Sequence, residues 1–153
     1  MTDLNSLPSE REKELNEALE ALHFAFRAVV AKPDAILAER GLSRVHHRIL
    51  YFIGRKPGLS VNELLATLGI SKQSLNSPLR QLTQLGLVES NIDTTDRRIK
   101  RLTLTPSGLC LESQLSGDQR QRFARVFEVV GLEGETAWRK VMHLLAEDTF
   151  AGE

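Results

Sequence analysis

The chain has 153 residues, of which 41% are apolar and 26% are charged, enough for one domain with a hydrophobic core. No apolar run approaches the roughly 18 residues that a membrane-spanning helix needs, and the polar, acidic start MTDLNSLPSEREKE excludes a signal peptide. The single cysteine, Cys110, excludes an internal disulfide and favours a cytoplasmic location.

A net charge of zero conceals an uneven distribution of charge along the chain. Residues 1–41 carry five basic and eight acidic side chains, as do residues 102–153, so each segment has a charge of −3. Residues 42–101 carry ten basic and four acidic side chains, a charge of +6. This basic middle segment favours a local anionic partner. The alternative is chance clustering of charges on a solvated surface.

The first predicted helix begins at a capping box opened by Ser9 and ends before Pro33. Apolar residues at spacings of three and four form one stripe along it. They are Leu15, Leu19, Leu22, Phe26 and Val29. Asp34 is predicted to cap a short second helix over residues 35–40, which Gly41 would stop in the left-handed conformation.

Three further helices are predicted before residue 86. The first has Ser43 as its N-cap and ends at Pro57-Gly58. The second is short, because a capping box opens at Ser60 and Gly69 provides a C-terminal stop. Ser71 caps the third helix only two residues later. Two helices joined by a tight turn that contains glycine predict a helix-turn-helix.

Pro78 lies about two turns into the third of these helices. It removes the N–H that would bond to the Ser74 carbonyl, which in a helix interior costs on the order of 3 kcal/mol. A hydrophobic staple between Ile70 and Leu75 favours a helix that starts at residue 72 and bends near Pro78. The alternative is a helix that starts only at Ser77, with Pro78 in its first position.

The hydrophobic pattern changes to that of strands after residue 86. Residues 87–90 and 99–104 predict two short strands, and a polar turn over 91–98 joins them into a hairpin. A hairpin that directly follows a helix-turn-helix is a wing.

Two helices are predicted after the hairpin. Thr105 and Pro106 form an N-cap and first-position pair, residues 116–118 are a candidate bend or interruption, and residues 131–134 are a predicted break. Cys110 has leucines on both sides and no adjacent basic residue, which predicts a buried structural thiol and not a redox sensor.

The order of these parts resembles the MarR family of bacterial winged-helix regulators. The residues that carry the resemblance are 64–69, the string LTQLGLV at 82–88, and DTTDRR at 93–98 followed by LTLTPSG at 102–108. The resemblance implies a mostly α fold with a small β-hairpin wing (α+β), in which a winged helix-turn-helix is joined to a helical dimerisation region.

The resemblance also implies how the chain is divided. Residues 1–41 would form N-terminal dimerisation helices, 42–105 the winged DNA-binding lobe, and 106–153 C-terminal dimerisation helices, all within one structural unit. A homodimer would bind a pseudo-palindromic operator in double-stranded DNA. An effector bound between the dimer body and the lobes would weaken that binding.

The expected function is therefore a sequence-specific transcriptional regulator, a repressor relieved by a small-molecule effector. No cofactor, metal or membrane partner is implied. The sequence has no G-x-S-x-G, no phosphate-binding glycine loop and no H-E-x-x-H, so no enzyme is predicted. The alternative is a winged-helix module that binds proteins and not DNA.

The helix that contains Pro78 is the candidate recognition helix. At about 100° per residue its leucines cluster on one side, and polar side chains occupy the other. Arginine can fork to guanine and glutamine or asparagine to adenine, while a helix N-terminus suits phosphate. The predicted DNA-binding residues are Lys72, Gln73, Ser74, Asn76, Ser77 and Arg80. The alternative is an ordinary solvated helix face.

The wing supplies the second set of candidates. Arg97 and Arg98 lie at its tip, where they would enter the negative minor groove, and Lys100 is a third predicted DNA contact. Asp93 and Asp96 are predicted to structure the wing, because phosphate repels carboxylates, with Asp96 fixing the arginines by ion pairing. The alternative is a charged turn that serves only solubility.

The third set of candidates is His46, His47 and Arg48, at the junction of the predicted dimer body and lobe. Adjacent histidines diverge by about 100° on a helix and cannot form a compact metal pair. One hypothesis is that these residues line a pocket for an anionic effector. The alternative is that the histidines are partly buried and structural.

Overall fold

The computed structural model describes residues 9–147, and residues 1–8 and 148–153 lie outside the described part of the chain. The elements in chain order are α1 (Glu10–Glu39), α2 (Arg44–Arg55), β1 (Leu59–Ser60), α3 (Val61–Leu68), α4 (Lys72–Gln84), β2 (Val88–Ile92), β3 (Lys100–Leu104) and α5 (Pro106–Ala146). This order confirms the predicted α+β class, a helix-turn-helix (α3 and α4) followed by a wing (β2 and β3).

The helix starts follow local side-chain caps. Ser9 and Thr105 each accept a hydrogen bond from the backbone N–H three residues later, at 3.1 and 3.0 Å. Ser60 and Glu63 form the predicted reciprocal capping box at the start of α3. Gly69 ends α3 in the left-handed conformation, with φ 64°. These positions were predictable because every capping bond spans only a few residues.

Helix α1 continues through Pro33 as one helix of 30 residues. The predicted end before Pro33 and the separate helix over residues 35–40 are therefore wrong. Proline cannot donate a hydrogen bond to the Val29 carbonyl. Gln119 of α5 does so instead, from Nε2 at 3.4 Å. A donor from a distant helix thus replaces the missing bond and allows α1 to continue.

The sheet has three antiparallel strands in the order β1-β3-β2. Val88 of β2 pairs with Leu104 of β3, and Leu59 of β1 pairs with Leu102 of β3. The hairpin was predicted, with strand ends that differ by one or two residues. Strand β1 was not predicted, because two residues are too few to show the period of a strand.

Helix α5 shows no interruption at residues 116–118, so the candidate interruption there is wrong. Ser116 is buried and its hydroxyl lies 3.1 Å from His47 Nε2, which secures this turn against α2. The break predicted at residues 131–134 is present at Gly131, where φ is 75° and ψ is −179°. A glycine accepts this left-handed φ without the steric penalty of a side chain.

Cys110 is exposed, so the predicted burial of its thiol is wrong. The face of α5 that enters the core contains Gly108, Leu111 and Leu115. Cys110 is one residue from Leu111 and is therefore turned by about 100° from that face. Leucines adjacent in sequence did not indicate burial, because neighbours along a helix point in different directions.

The hydrophobic core lies among the end of α1, helices α2 to α4, the sheet and the first turns of α5. Its most completely buried leucines and isoleucines are Leu37, Ile49, Leu50, Ile53, Leu64, Leu75, Leu82, Leu102, Leu111 and Leu115. In contrast, most of α1 and the C-terminal part of α5 expose large apolar side chains. The most exposed are Leu19, Phe24, Val129, Leu132 and Leu145. Within residues 9–147, no helix combines the length and the apolar character required to cross a membrane.

Candidate nucleic-acid interface

Helix α4 runs unbroken from Lys72 to Gln84 with Pro78 inside it, so the alternative start at Ser77 is wrong. Ser71 Oγ accepts from the Ser74 N–H at 3.1 Å and fixes the first turn. Ser74 is exposed, so solvent can satisfy the carbonyl that Pro78 leaves without a helical donor. The bend near Pro78 stays a prediction.

The two sides of α4 differ sharply in exposure. Leu75 and Leu82 are 1% and 0% exposed and attach the helix to the core. The predicted DNA-binding residues of the helix are all exposed: Lys72, Gln73, Ser74, Asn76, Ser77 and Arg80. Ser74 is the exception in its bonding, because its hydroxyl lies 2.9 Å from Ser71 Oγ and takes part in the cap. The other five side chains have no hydrogen bond to the described residues and can meet a partner.

An open cleft of about 650 Å³ lies between α4, the start of α3 and the hairpin. Its lining includes four basic side chains, Lys72, Arg80, Arg98 and Lys100, and no acidic one. We call this feature the cationic cleft. Asn76 and Gln84 add amide groups from α4. Cations concentrated along an open cleft attract a polyanion, above all the phosphate backbone of a nucleic acid.

Asp93 organises the loop of the wing. Its Oδ2 accepts from the Thr95 N–H at 3.2 Å, the Thr95 hydroxyl at 2.7 Å and the Asp96 N–H at 2.9 Å. Its Oδ1 accepts from Arg101 Nε at 2.8 Å. These donors, Arg101 foremost, hold the pKa of the Asp93 carboxyl well below its usual range. The loop is therefore shaped by the protein before any partner binds.

Asp96 holds one of the two arginines at the tip of the wing. Arg98 donates from Nε to Oδ1 and from Nη2 to Oδ2, both at 3.1 Å. This forked pair lowers the pKa of Asp96 and raises the pKa of Arg98. Arg97 is exposed and has no ion pair within residues 9–147. Asp96 therefore orients Arg98, whereas the sequence predicted that it would fix both arginines.

Arg101 joins the wing to the helix-turn-helix, a role that was not predicted from the sequence. Its Nη1 donates to the Gly58 carbonyl at 3.1 Å and lies 3.6 Å from Glu63 Oε1. Glu63 also pairs with Lys56, and this bond is the main reason that the pKa of Glu63 falls to about 2. The sequence pattern that could have indicated this role is the alternation of side chains along β3. Successive residues point to opposite faces of a strand, so Arg101 points away from Lys100 and from the cleft.

His46 is buried, with 7% exposure, and both of its ring nitrogens are engaged. Nδ1 accepts from the Ser43 N–H at 3.0 Å, and Nε2 lies 2.8 Å from Gln81 Oε1. A backbone N–H can only donate, so Nδ1 must be the acceptor. The ring hydrogen is therefore on Nε2, and His46 donates it to Gln81 of α4.

The three predicted effector-binding residues lie in three different surroundings. His47 is half-buried, and burial lowers its pKa by more than the nearby Glu112 and Asp34 carboxylates raise it. Arg48 is exposed, whereas His46 is buried. Among residues 9–147, no group of three or more His, Cys, Asp or Glu side chains is placed to hold a metal ion.

Helix-turn-helix, wing and cationic cleft together define a winged-helix protein. A sequence profile of the MarR family matches residues 40–99. The HTH-type transcriptional regulator PetP of Rhodobacter capsulatus is 40% identical over 136 residues, which cover 89% of this chain and 82% of that protein. The chain belongs to the MarR family of transcriptional regulators.

Two solved structures share this fold. The transcriptional repressor CouR, bound to a 23-mer DNA duplex, has a TM-score of 0.68 and 23% identity, covering 94% of this chain and 100% of that chain. NadR, in complex with 4-hydroxyphenylacetate, has a TM-score of 0.66 and 23% identity, covering 95% of this chain and 99% of that chain.

Proposed function

We propose that this chain is a repressor that binds a pseudo-palindromic operator in double-stranded DNA as a homodimer and is released by a small-molecule effector. The cationic cleft carries the proposal, since four basic side chains from α4 and the wing line one opening whose lining contains no acidic side chain. CouR, a repressor of the same fold, is bound to a DNA duplex. No catalytic step is proposed, and the protein acts in the cytoplasm, where its DNA lies.

The exposed polar and basic side chains of α4 and the wing, within the cationic cleft and beside it, have different roles in binding. Gln73, Ser77 and Arg80 read base edges in the major groove, with Asn76 at the margin of that face. Lys72 and Lys100 contact phosphates, while Arg97 and Arg98 hold the adjacent minor groove. Asp93 and Asp96 shape the wing without touching DNA.

A second copy of the chain covers the exposed apolar side chains of α1 and of the C-terminal part of α5. Leu19, Val129 and Leu132 are 68%, 87% and 79% exposed, and large exposed apolar patches mark interaction surfaces. Helices α1 and α5, within the predicted segments 1–41 and 106–153, then form the dimer body, and 42–105 the DNA-binding lobe. Residues 1–8 and 148–153 of these segments lie outside the described residues. Two-fold symmetry would present the two α4 helices to half-sites about 34–36 Å apart.

The effector is proposed to bind where the dimer body meets the lobe, with His47 and Arg48 as its candidate contacts. NadR, which shares the fold, is in complex with the anion 4-hydroxyphenylacetate. That anion is a suitable first probe, titrated against the unaltered protein, His47→Ala and Arg48→Ala while thermal stability is followed. Weaker binding by the variants would support these contacts, and an unchanged affinity would remove them.

A salt titration tests DNA binding. The full chain is used to select sites from random duplex DNA, and affinity for a selected site is measured over a range of salt. We expect log K to fall linearly with log salt, with a slope of about −0.9 for each phosphate contacted. An absence of binding to any duplex at low salt would instead favour a winged-helix module that binds proteins.

A further inference from the structure

Gln81 connects the recognition helix to the corner between α1 and α2. It directly follows Arg80, but it does not line the cationic cleft. Its Oε1 lies 2.8 Å from His46 Nε2, and its Nε2 donates to the Gly41 carbonyl at 3.4 Å. Gly41, at φ 70°, forms the turn between α1 and α2. One side chain of α4 therefore bonds to both sides of the corner at which the dimer body meets the lobe.

The orientation of His46 is fixed from the other side. Its Nδ1 accepts from the Ser43 N–H, which belongs to the N-cap of α2 and cannot move without unwinding that helix. The imidazole is buried, with 7% exposure, so solvent competes little with Gln81 for its Nε2–H. Gln81 thus meets a donor whose position is set by the backbone of α2.

Within residues 9–147, no other side chain of α4 links the helix to the corner between α1 and α2 by a hydrogen bond. Among the described residues, Gln81 makes the only side-chain hydrogen bonds from α4 to a segment outside α4 and its cap. The remaining attachment is apolar, chiefly through Leu75 and Leu82. Apolar contacts are non-directional, whereas a hydrogen bond weakens steeply when its geometry is lost. The contact with His46 therefore adds a directional constraint on the rotation of α4 to the apolar packing of Leu75 and Leu82.

We propose that His46 and Gln81 are positioning residues for base recognition, and that their hydrogen bond fixes the rotation of α4 that presents Arg80 to the bases. This inference rests on the proposed function as a DNA-binding regulator. It gives His46 a role in specificity, in place of the contact with an effector that the sequence suggested.

The test compares Gln81→Met, which keeps the length of the side chain and removes both hydrogen bonds, with Gln114→Met, which alters an exposed glutamine of α5. Affinity is measured for a selected operator and for random-sequence duplex. We expect Gln81→Met to lower the ratio of specific to non-specific affinity roughly tenfold, the effect of misaligning one bidentate base contact. The salt slope should stay constant, because phosphate contacts are retained.

Gln81→Glu provides the rescue, because its carboxylate still accepts from His46 although it cannot donate to Gly41. We expect this variant to recover most of the specificity ratio. Recovery would assign the effect to the bond with His46. A failure to recover would overturn the proposal, since the loss would then not depend on that bond.

Two further outcomes would overturn the inference. One is an unchanged ratio in Gln81→Met. The other is a parallel fall of specific and non-specific affinity that follows a lower unfolding temperature, as expected of a purely structural contact. Failure of the unaltered chain to bind any duplex would reject the proposed function itself, and the inference with it.

Discussion

At the scale of single residues, Gly108 allows the first turn of α5 to lie directly against the backbone of Leu87. A Cβ atom at this position would lie 2.0 Å from the Leu87 carbonyl oxygen, far inside van der Waals contact. The same oxygen accepts from the Thr105 N–H at 3.1 Å, and Thr105 Oγ1 donates to the Gly86 carbonyl at 2.6 Å. The first turn of α5 is thus held directly against the segment between α4 and the wing.

Gly108→Ala should therefore destabilise the protein by about 1–3 kcal/mol, the usual range for overpacking. Gly117→Ala is the matched control, because its nearest contact would be Arg120 Nη2 at 3.9 Å. That change should be neutral or stabilise α5 by up to about 1 kcal/mol through helix propensity. Urea unfolding at one protein concentration measures both effects. Equal free energies for the two variants would contradict this account.

Arg80 is expected to carry base specificity. Arg80→Ala should cost roughly 1–3 kcal/mol on a selected operator and relax the preference at one base position, with little loss on random DNA. Binding isotherms on both duplexes, with a repeated site selection, provide the measurement. An equal loss on random DNA would show that Arg80 contacts phosphate and does not read a base.

His47 should make stability depend on pH in one direction. Its folded-state pKa is lowered from 6.5, mainly by burial, so the unfolded chain binds a proton more readily. Its contribution should be negligible well above 6.5, and it should destabilise the fold progressively as the pH falls below that value toward the folded pKa. The free energy of unfolding of the unaltered chain and of His47→Asn, measured across this range, should diverge at the acid end. Parallel curves would exclude His47 as a cause.

At the scale of elements, the wing is a loop shaped by carboxylates that carries basic groups on its outer side. Asp93 and Arg101 connect it to Gly58 and Glu63 at the base of the helix-turn-helix. These groups lie away from the cleft. One set of charged side chains therefore maintains the shape of the wing, and a different set is exposed to a partner. Arg97 and Arg98 are the charges that it presents.

Replacing both Arg97 and Arg98 by Ala should weaken binding to every duplex and reduce the salt slope by up to about 0.9 for each phosphate contact that is lost. Arg122→Ala, which removes an exposed charge from α5, is the control and should leave the slope unchanged. The slope of log K against log salt is the quantity to compare. An unchanged slope in the double variant would rule out the wing as a DNA contact.

The elements that were predicted correctly are those whose causes are local. Ser60 with Glu63, and Thr105 with the Gly108 N–H, determine helix starts through hydrogen bonds between residues three positions apart, so the sequence alone was sufficient. The continuation of α1 through Pro33 could not be predicted, because the donor that replaces the missing bond, Gln119, is 90 residues away from Val29. In the candidate site, the exposed face of α4 followed from helical periodicity. The role of Arg101 and the bond between His46 and Gln81 depend on tertiary contacts that no local pattern encodes.

At the scale of the whole molecule, a single chain leaves the large apolar side chains of α1 and α5 exposed to solvent. Val129→Glu should place a charge within the proposed dimer contact and shift the protein toward monomers, whereas Val129→Ala should have a much smaller effect. Sedimentation equilibrium over a range of concentrations measures the shift. A dimer that is equally stable in both variants would show that this surface lies outside the contact between copies.

The exposed apolar surface also has a consequence for gene control. If only paired chains present two recognition helices at the correct separation, operator occupancy depends on the square of the chain concentration wherever dimers are scarce. A modest change in synthesis or degradation of the protein would then produce a steeper change in transcription. The hydrophobic side chains that α1 and α5 leave open would therefore set the sensitivity of the regulated promoter to the number of protein molecules in the cell.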